Sequence, residues 1–144
     1  MMFQKIINTD KSATTILIRV MVGSVFLSEG IQKFLFPAID GAGRFAKIGF
    51  ANPEFWASFT GCFEIICGTL ILLGLLTRFA AIPILITMLV AFITTKYPIL
   101  MDKGFWSFAH EYRTDFAMTL GGVFLLIKGA GKWSIDKLLD RNER

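Results

Sequence analysis

Apolar residues fall along this chain in four long runs, not in the short alternating groups that mark strands. The first run covers residues 13–36 and is interrupted by Arg19, Glu29 and Lys33. The second covers 55–76, with Glu64 as its one charge, and the third covers 79–97, apolar as far as Thr95. The fourth is cleanly apolar only over 116–127, too short to cross a bilayer unaided. Extended back through Ala109-His110-Glu111-Tyr112-Arg113-Thr114-Asp115, it becomes a span over 109–128; a buried half-helix with 111–115 in water is the alternative. A crossing helix takes about 20 residues, so four of them use most of the chain. The pattern predicts an all-α integral membrane four-helix bundle, one domain over residues 1–144.

Local signals mark the ends of these runs. Asn52, Pro53 and Glu54 suit a helix start, as N-cap, first helical residue and first-turn acid. Thr77 is a candidate cap for the third helix, and Pro83 falls early enough in it to cause only a small break. Lys128-Gly129-Ala130-Gly131-Lys132 reads as an interfacial helix end. The first run holds Arg19, exceeds 20 residues and lacks a clear cleavage site, so it is read as a retained helix and not a signal peptide. With the N-terminus inside, Lys5, Lys11, Arg78, Lys128, Lys132, Lys137, Arg141 and Arg144 lie on the cytoplasmic side. Arg44, Lys47, Lys96, Lys103 and Arg113 then lie outside, and this excess inside predicts an N-in/C-in topology. Trp56 and Trp106 are expected as outer anchors and Trp133 as an inner one. Residues 41–48 read as a short interfacial helix, 98–108 as an aromatic loop on the bilayer, and 134–144 as a tail along the inner surface.

Composition narrows the function. Of 144 residues, 54% are hydrophobic and only 18% charged, and the mean hydropathy is +0.61. Soluble domains run nearer a quarter charged, so a water-soluble enzyme with its own extramembrane catalytic domain is excluded. The net charge of +4 does not suggest nucleic acid, because the basic residues sit between apolar runs and form no stripe. Cys62 and Cys67, five apart on one helix, point to nearly opposite sides and cannot bridge. One histidine, His110, and no Cys-x-x-Cys pair leave no metal or haem site legible.

The charges inside the runs carry the chemical information, because ionisable groups in a membrane are costly. Rising along the first helix and descending the second and fourth, Glu29, Glu64 and Asp115 fall roughly 9–13 Å from the outer ends of their helices. Lys33 lies one turn beyond Glu29 on the same face. Val22, Gly23, Phe26, Glu29, Gly30 and Lys33 share a stripe, as do Ala57, Gly61, Glu64 and Gly68, and small residues beside an acid let backbones close on one another. Three acids and one lysine form a costly excess of like charge, so at least one carboxyl stays protonated unless Arg113 or Lys96 turns inward. His110, Arg113 and Lys96 are expected to reach outward to the surface, and Arg19 to be structural. Spacing alone leaves two readings open: a site that handles protons or polar head groups, and ion pairs that only fix helix register.

These residues resemble the DoxX family of small bacterial four-helix membrane proteins, from about residue 15 to 136. The resemblance is carried by Phe26-Leu27-Ser28-Glu29-Gly30-Ile31-Gln32-Lys33-Phe34, Gly61-Cys62-Phe63-Glu64-Ile65-Ile66-Cys67-Gly68 and Gly74-Leu75-Leu76-Thr77-Arg78. His110-Glu111-Tyr112-Arg113-Thr114-Asp115-Phe116 adds to it. The family is named for a subunit associated with thiosulfate:quinone oxidoreduction, and many members are labelled oxidoreductases by similarity. The resemblance implies a multi-pass protein of the bacterial cytoplasmic membrane that serves as the membrane subunit of a quinone-linked redox system. No redox centre, and so no intrinsic cofactor, is legible in the chain. A quinone would be bound from the membrane, and a soluble or membrane redox partner would supply the electrons. Glu29, Glu64 and Asp115 are the candidates for proton handling, and Lys33, Arg113 and Arg78 for binding. Two other classes stay open: a small solute carrier or permeation module, which needs a homo-oligomer for room, and a non-catalytic assembly scaffold.

Overall fold

The computed structural model describes residue 7 and residues 9–139, so Lys5, Arg141, Arg144 and the end of the expected surface tail lie outside the described residues. Every element among the described residues is helical: α1 (Thr15–Leu35), α2 (Ala42–Ile48), α3 (Pro53–Leu73), α4 (Thr77–Ala91), a π-helical turn (Phe92–Lys96), α5 (Tyr97–Lys103), α6 (Phe105–Lys128) and α7 (Ile135–Leu139). Three stretches are long and apolar enough to cross a membrane: Thr15–Leu35, Pro53–Leu73 and the continuous Thr77–Lys103. The fourth long helix, α6, has 24 residues and is about 36 Å long, but His110, Glu111, Arg113 and Asp115 crowd its first half.

The four long helices pack in a closed ring, α1 on α3, α3 on α4, α4 on α6 and α6 on α1. Val22, Phe26, Cys67, Ile71, Ala80, Ala81, Ile84, Met118 and Leu125 fill its centre. Large apolar side chains such as Leu17, Ile66, Phe79, Ile86, Leu89 and Ile127 point outward, as they must where the surroundings are hydrocarbon. The α1–α3 seam is the tightest, because glycines face glycines. A Cβ on Gly30 would lie 2.8 Å from the Gly61 carbonyl oxygen, and one on Gly68 would lie 2.7 Å from the Leu27 nitrogen. Backbone approach of this kind is what small residues provide between apolar helices.

Two charged side chains knit the end of the bundle where α1 begins. Arg19 is buried, and its Nε donates to the Ile71 carbonyl at 2.9 Å and its Nη2 to that of Leu72 at 2.5 Å. Its Nη1 donates to the carbonyls of Ala130, at 3.3 Å, and Trp133. Carbonyls at the end of α3 lack regular helical partners, and the guanidinium fork reaches two of them, that of Ile71 sharing it with the Gly74 N–H at 3.1 Å. Asp136 accepts hydrogen bonds from the Leu76 N–H at 2.7 Å and the Thr77 N–H at 3.0 Å. Both donors are orphans of the α4 start, so the cap comes from 60 residues along the chain and not from the Thr77 hydroxyl expected to cap it. It also fastens Leu76, which adopts a left-handed backbone with φ 49°.

Other local expectations change too. Asn52 precedes α3 in a left-handed conformation, and its side chain makes no capping hydrogen bond. The segment expected as an aromatic loop is helical on both sides of Gly104, whose φ of 80° allows the turn from α5 into α6. The tail doubles back through α7, with Asp136 fully buried.

Candidate functional site

At the other end of the ring, the helices part around a cavity of about 600 Å³. The Gly30–Gly61 approach brings α1 close to α3, and one turn along α1 the Lys33 ammonium reaches the Glu64 carboxylate, Nζ to Oε2 2.6 Å. Glu29, on the same helix face, lies 3.9 Å from Lys33 and is half-exposed. The approach to Oε2 is close but poorly aligned, so Oε2 is ion-paired yet lacks a well-formed hydrogen bond. A buried carboxylate oxygen with unused bonding capacity is uncommon and calls for an explanation.

A second pair lies on the other two helices. Lys96 Nζ is 3.5 Å from Asp115 Oδ2 and donates to the Glu111 carbonyl at 3.0 Å. Lys96 was expected to reach the surface, and it turns inward instead, to 8% exposure. The reason is the π-helical turn, in which the Tyr97 N–H bonds to the Phe92 carbonyl. In an α-helix, residues five apart point about 140° away from each other. When the hydrogen bond reaches one residue further, they come round to nearly the same face, so Lys96 joins Ala91 on the cavity wall. Pro98 supplies the cause: it lacks the N–H that would bond to Thr94, and its ring displaces that carbonyl.

Glu29, Lys33, Glu64 and Asp115 therefore all line one cavity, together with Arg44, Lys96 and Glu111. The expected excess of acid is relieved, because each deep carboxylate has its own lysine. Two residues named as binding candidates lie elsewhere. Arg113 is exposed beside His110, Nη1 2.9 Å from the ring Nδ1, and it is turned away from Asp115. Arg78 is half-buried at the start of α4, at the Arg19 end. Sequence reasoning also passed over the aromatic wall. Phe45, Phe50, Trp56 and Phe59 line the cavity, with Phe50 and Trp56 edge-to-face at 6.2 Å and Trp56 and Phe59 at 5.9 Å. The aromatic cluster after residue 44 was a readable signal for it.

Cys62 is exposed and Cys67 buried, both as free thiols, and among the described residues no group of three or more potential ligands gathers to hold a metal ion. The chemistry on offer is thus that of lysine–carboxylate pairs in a largely apolar chamber: hydrogen bonds to acceptor oxygens and exchange of protons.

Comparison with known proteins places this arrangement. The DoxX family profile matches residues 14–97. An uncharacterised membrane protein of Mycobacterium tuberculosis, Rv3486, is 48% identical over 143 residues, covering 95% of this chain and 88% of that one. A Bacillus subtilis protein named "Putative oxidoreductase CatD" is 27% identical over 133 residues, covering 90% of each chain. No solved structure matches the chain. A profile match over more than half its length and a relative of nearly half identity agree: this membrane protein belongs to the DoxX family.

Proposed function

We propose that the chain is the membrane subunit of a quinone-linked redox system in the bacterial cytoplasmic membrane. In this reading α6 is the fourth crossing, both termini face the cytoplasm, and the cavity opens in the outer leaflet. The observation that carries the proposal is the cavity, where paired lysines and carboxylates share a chamber with aromatic walls. A flat ring with polar carbonyl edges fits such walls, since aromatic faces stack on it and ammonium groups meet its oxygens.

When bound, a quinone supplies two-electron chemistry: its carbonyl oxygens take up two protons and become hydroxyls as two electrons arrive from the partner. The chain's own residues bind and handle protons. Lys33 donates a hydrogen bond to one carbonyl oxygen, and Glu64 holds or releases a proton beside it. Glu29, half-exposed, links that pair to water, and Asp115 serves the other wall. Arg113 has no part in this, and Lys96 takes the place foreseen for it. The distant relative named an oxidoreductase supports the class of reaction and nothing finer.

The test is direct binding of menadione to detergent-purified protein, followed by quenching of tryptophan fluorescence. Trp56 lines the cavity, and a background with Trp106→Phe and Trp133→Phe makes the signal local to it. Glu64→Gln is expected to weaken binding about tenfold while the helical circular dichroism stays unchanged. Equal affinity of wild type and variant would remove Glu64 from the site, and absence of any saturable binding would end the quinone reading. Flux of a small solute in proteoliposomes, lost in the same variant, would favour a carrier instead.

A further inference from the structure

The ammonium groups of the cavity have more donors than partners. Each lysine carries three N–H groups. Lys33 faces Glu64 and Glu29, and Lys96 faces Asp115 and the Glu111 carbonyl. Glu29, at 3.9 Å, lies beyond hydrogen-bond distance, so each ammonium keeps at least one N–H for a further acceptor, and both side chains are about nine-tenths buried. The two lysines stand on different helix pairs, Lys33 on α1 beside α3 and Lys96 at the end of the π turn beside α6, and both border the same chamber. Glu64 adds the buried oxygen that lacks a hydrogen bond.

We infer that the chamber is a two-pronged site for a flat ligand with acceptor oxygens on opposite edges, one received by Lys33 and the other by Lys96. A para-quinone has that shape, and a ring with a single carbonyl leaves one buried donor unmatched. Selection against a ligand that lacks a bonding partner is stronger than selection by size, because the unpaired group stays desolvated. Lys96 is thus a specificity-determining residue, placed by Pro98 and the π turn. The inference rests on the quinone reading above and adds to it the pattern of oxygens that the site selects.

The experiment compares two bicyclic probes, menadione with two opposed carbonyls and α-tetralone with one, on wild type, Lys33→Met and Lys96→Met. Wild type is expected to prefer menadione about tenfold, the size of one charge-assisted hydrogen bond. Lys96→Met should bind menadione as weakly as α-tetralone, so that the preference vanishes and the weaker binding remains. A Lys96→Met protein that keeps the full preference overturns the second prong. If Lys33→Met loses menadione while Lys96→Met does not, the quinone reading survives without it. If wild type binds neither probe, both readings go. Should Lys96→Met not purify folded, Lys96→Gln keeps a donor for Glu111 and is expected to narrow the preference to a few-fold; an undiminished preference in it counts against the prong equally.

Discussion

Arg19 and Glu64 are buried to the same degree, each 3% exposed, yet they sit in opposite kinds of surroundings. Arg19 spends four N–H groups on four carbonyls, at the end of α3 and in the segment that follows α6. Asp136 beside it spends both oxygens on the start of α4. At that end, charged side chains answer backbone groups near helix ends, and although the Thr15 and Thr77 hydroxyls and Arg78 Nε are buried without a hydrogen bond, none of them borders the cavity. At the cavity end, charges answer charges, at 2.6, 3.5 and 3.9 Å, with open volume beside them. Burial of a charge in a membrane protein therefore does not by itself mark function; bonding capacity left over beside a cavity is the better sign.

The comparison can be broken by removing each anchor in turn. Arg19→Leu should have the largest effect, since it takes a hydrogen bond from four carbonyls at once, of which that of Ile71 keeps the Gly74 N–H, each bond worth about 1 kcal/mol or more. A fall in thermal midpoint of roughly 10 °C in detergent, or failure to accumulate folded protein, is expected by circular dichroism. Arg19→Lys, with a charge but no fork, should fall between. Glu64→Gln should cost only about 1 kcal/mol, because Glu29 still faces Lys33 and the amide oxygen can accept from it. If Glu64→Gln destabilises as much as Arg19→Leu, the cavity pairs are struts and the contrast between the two ends collapses.

Much of this contrast was legible in the sequence, and the parts that were not have two separate physical causes. Apolar runs of crossing length gave α1, α3 and α4, because helix length and hydrocarbon thickness are linked by a fixed rise. Glu29 and Lys33, four apart, and Gly61, Glu64 and Gly68, spaced by threes and fours, announced their faces by period alone. Arg113, two residues before Asp115, is rotated about 200° from it, and its expected reach to the surface, not the binding role, is what the structure shows. Lys96 was not legible in this way. Its direction depends on a helix that changes its hydrogen-bond pattern within five residues, where regular periodicity no longer applies. Asp136 was hidden for another reason. Its partners at Leu76 and Thr77 lie 60 and 59 residues away, and only the closed ring of helices brings them together.

The smallest effect gives the sharpest reading of the Arg19 end. Burial pushes the Asp136 carboxyl above the ordinary aspartate value of 3.8, and this outweighs the Thr77 and Leu76 N–H groups and Arg19, which all pull the other way. A carboxyl whose folded value is raised contributes stability that is complete below its unfolded value and is lost as pH climbs through the folded one. Asp136→Asn removes this titration while keeping one acceptor oxygen for the start of α4. The difference in thermal midpoint, wild type minus variant, should therefore be greatest near pH 4 and shrink by a few degrees toward neutrality. A difference that grows with pH would mean that the cap is held mainly by the ionised carboxylate and that Arg19 acts on it as a counter-charge. The Arg19 end would then rest on charge pairing as the cavity does, and the open volume beside the charges alone would distinguish the two.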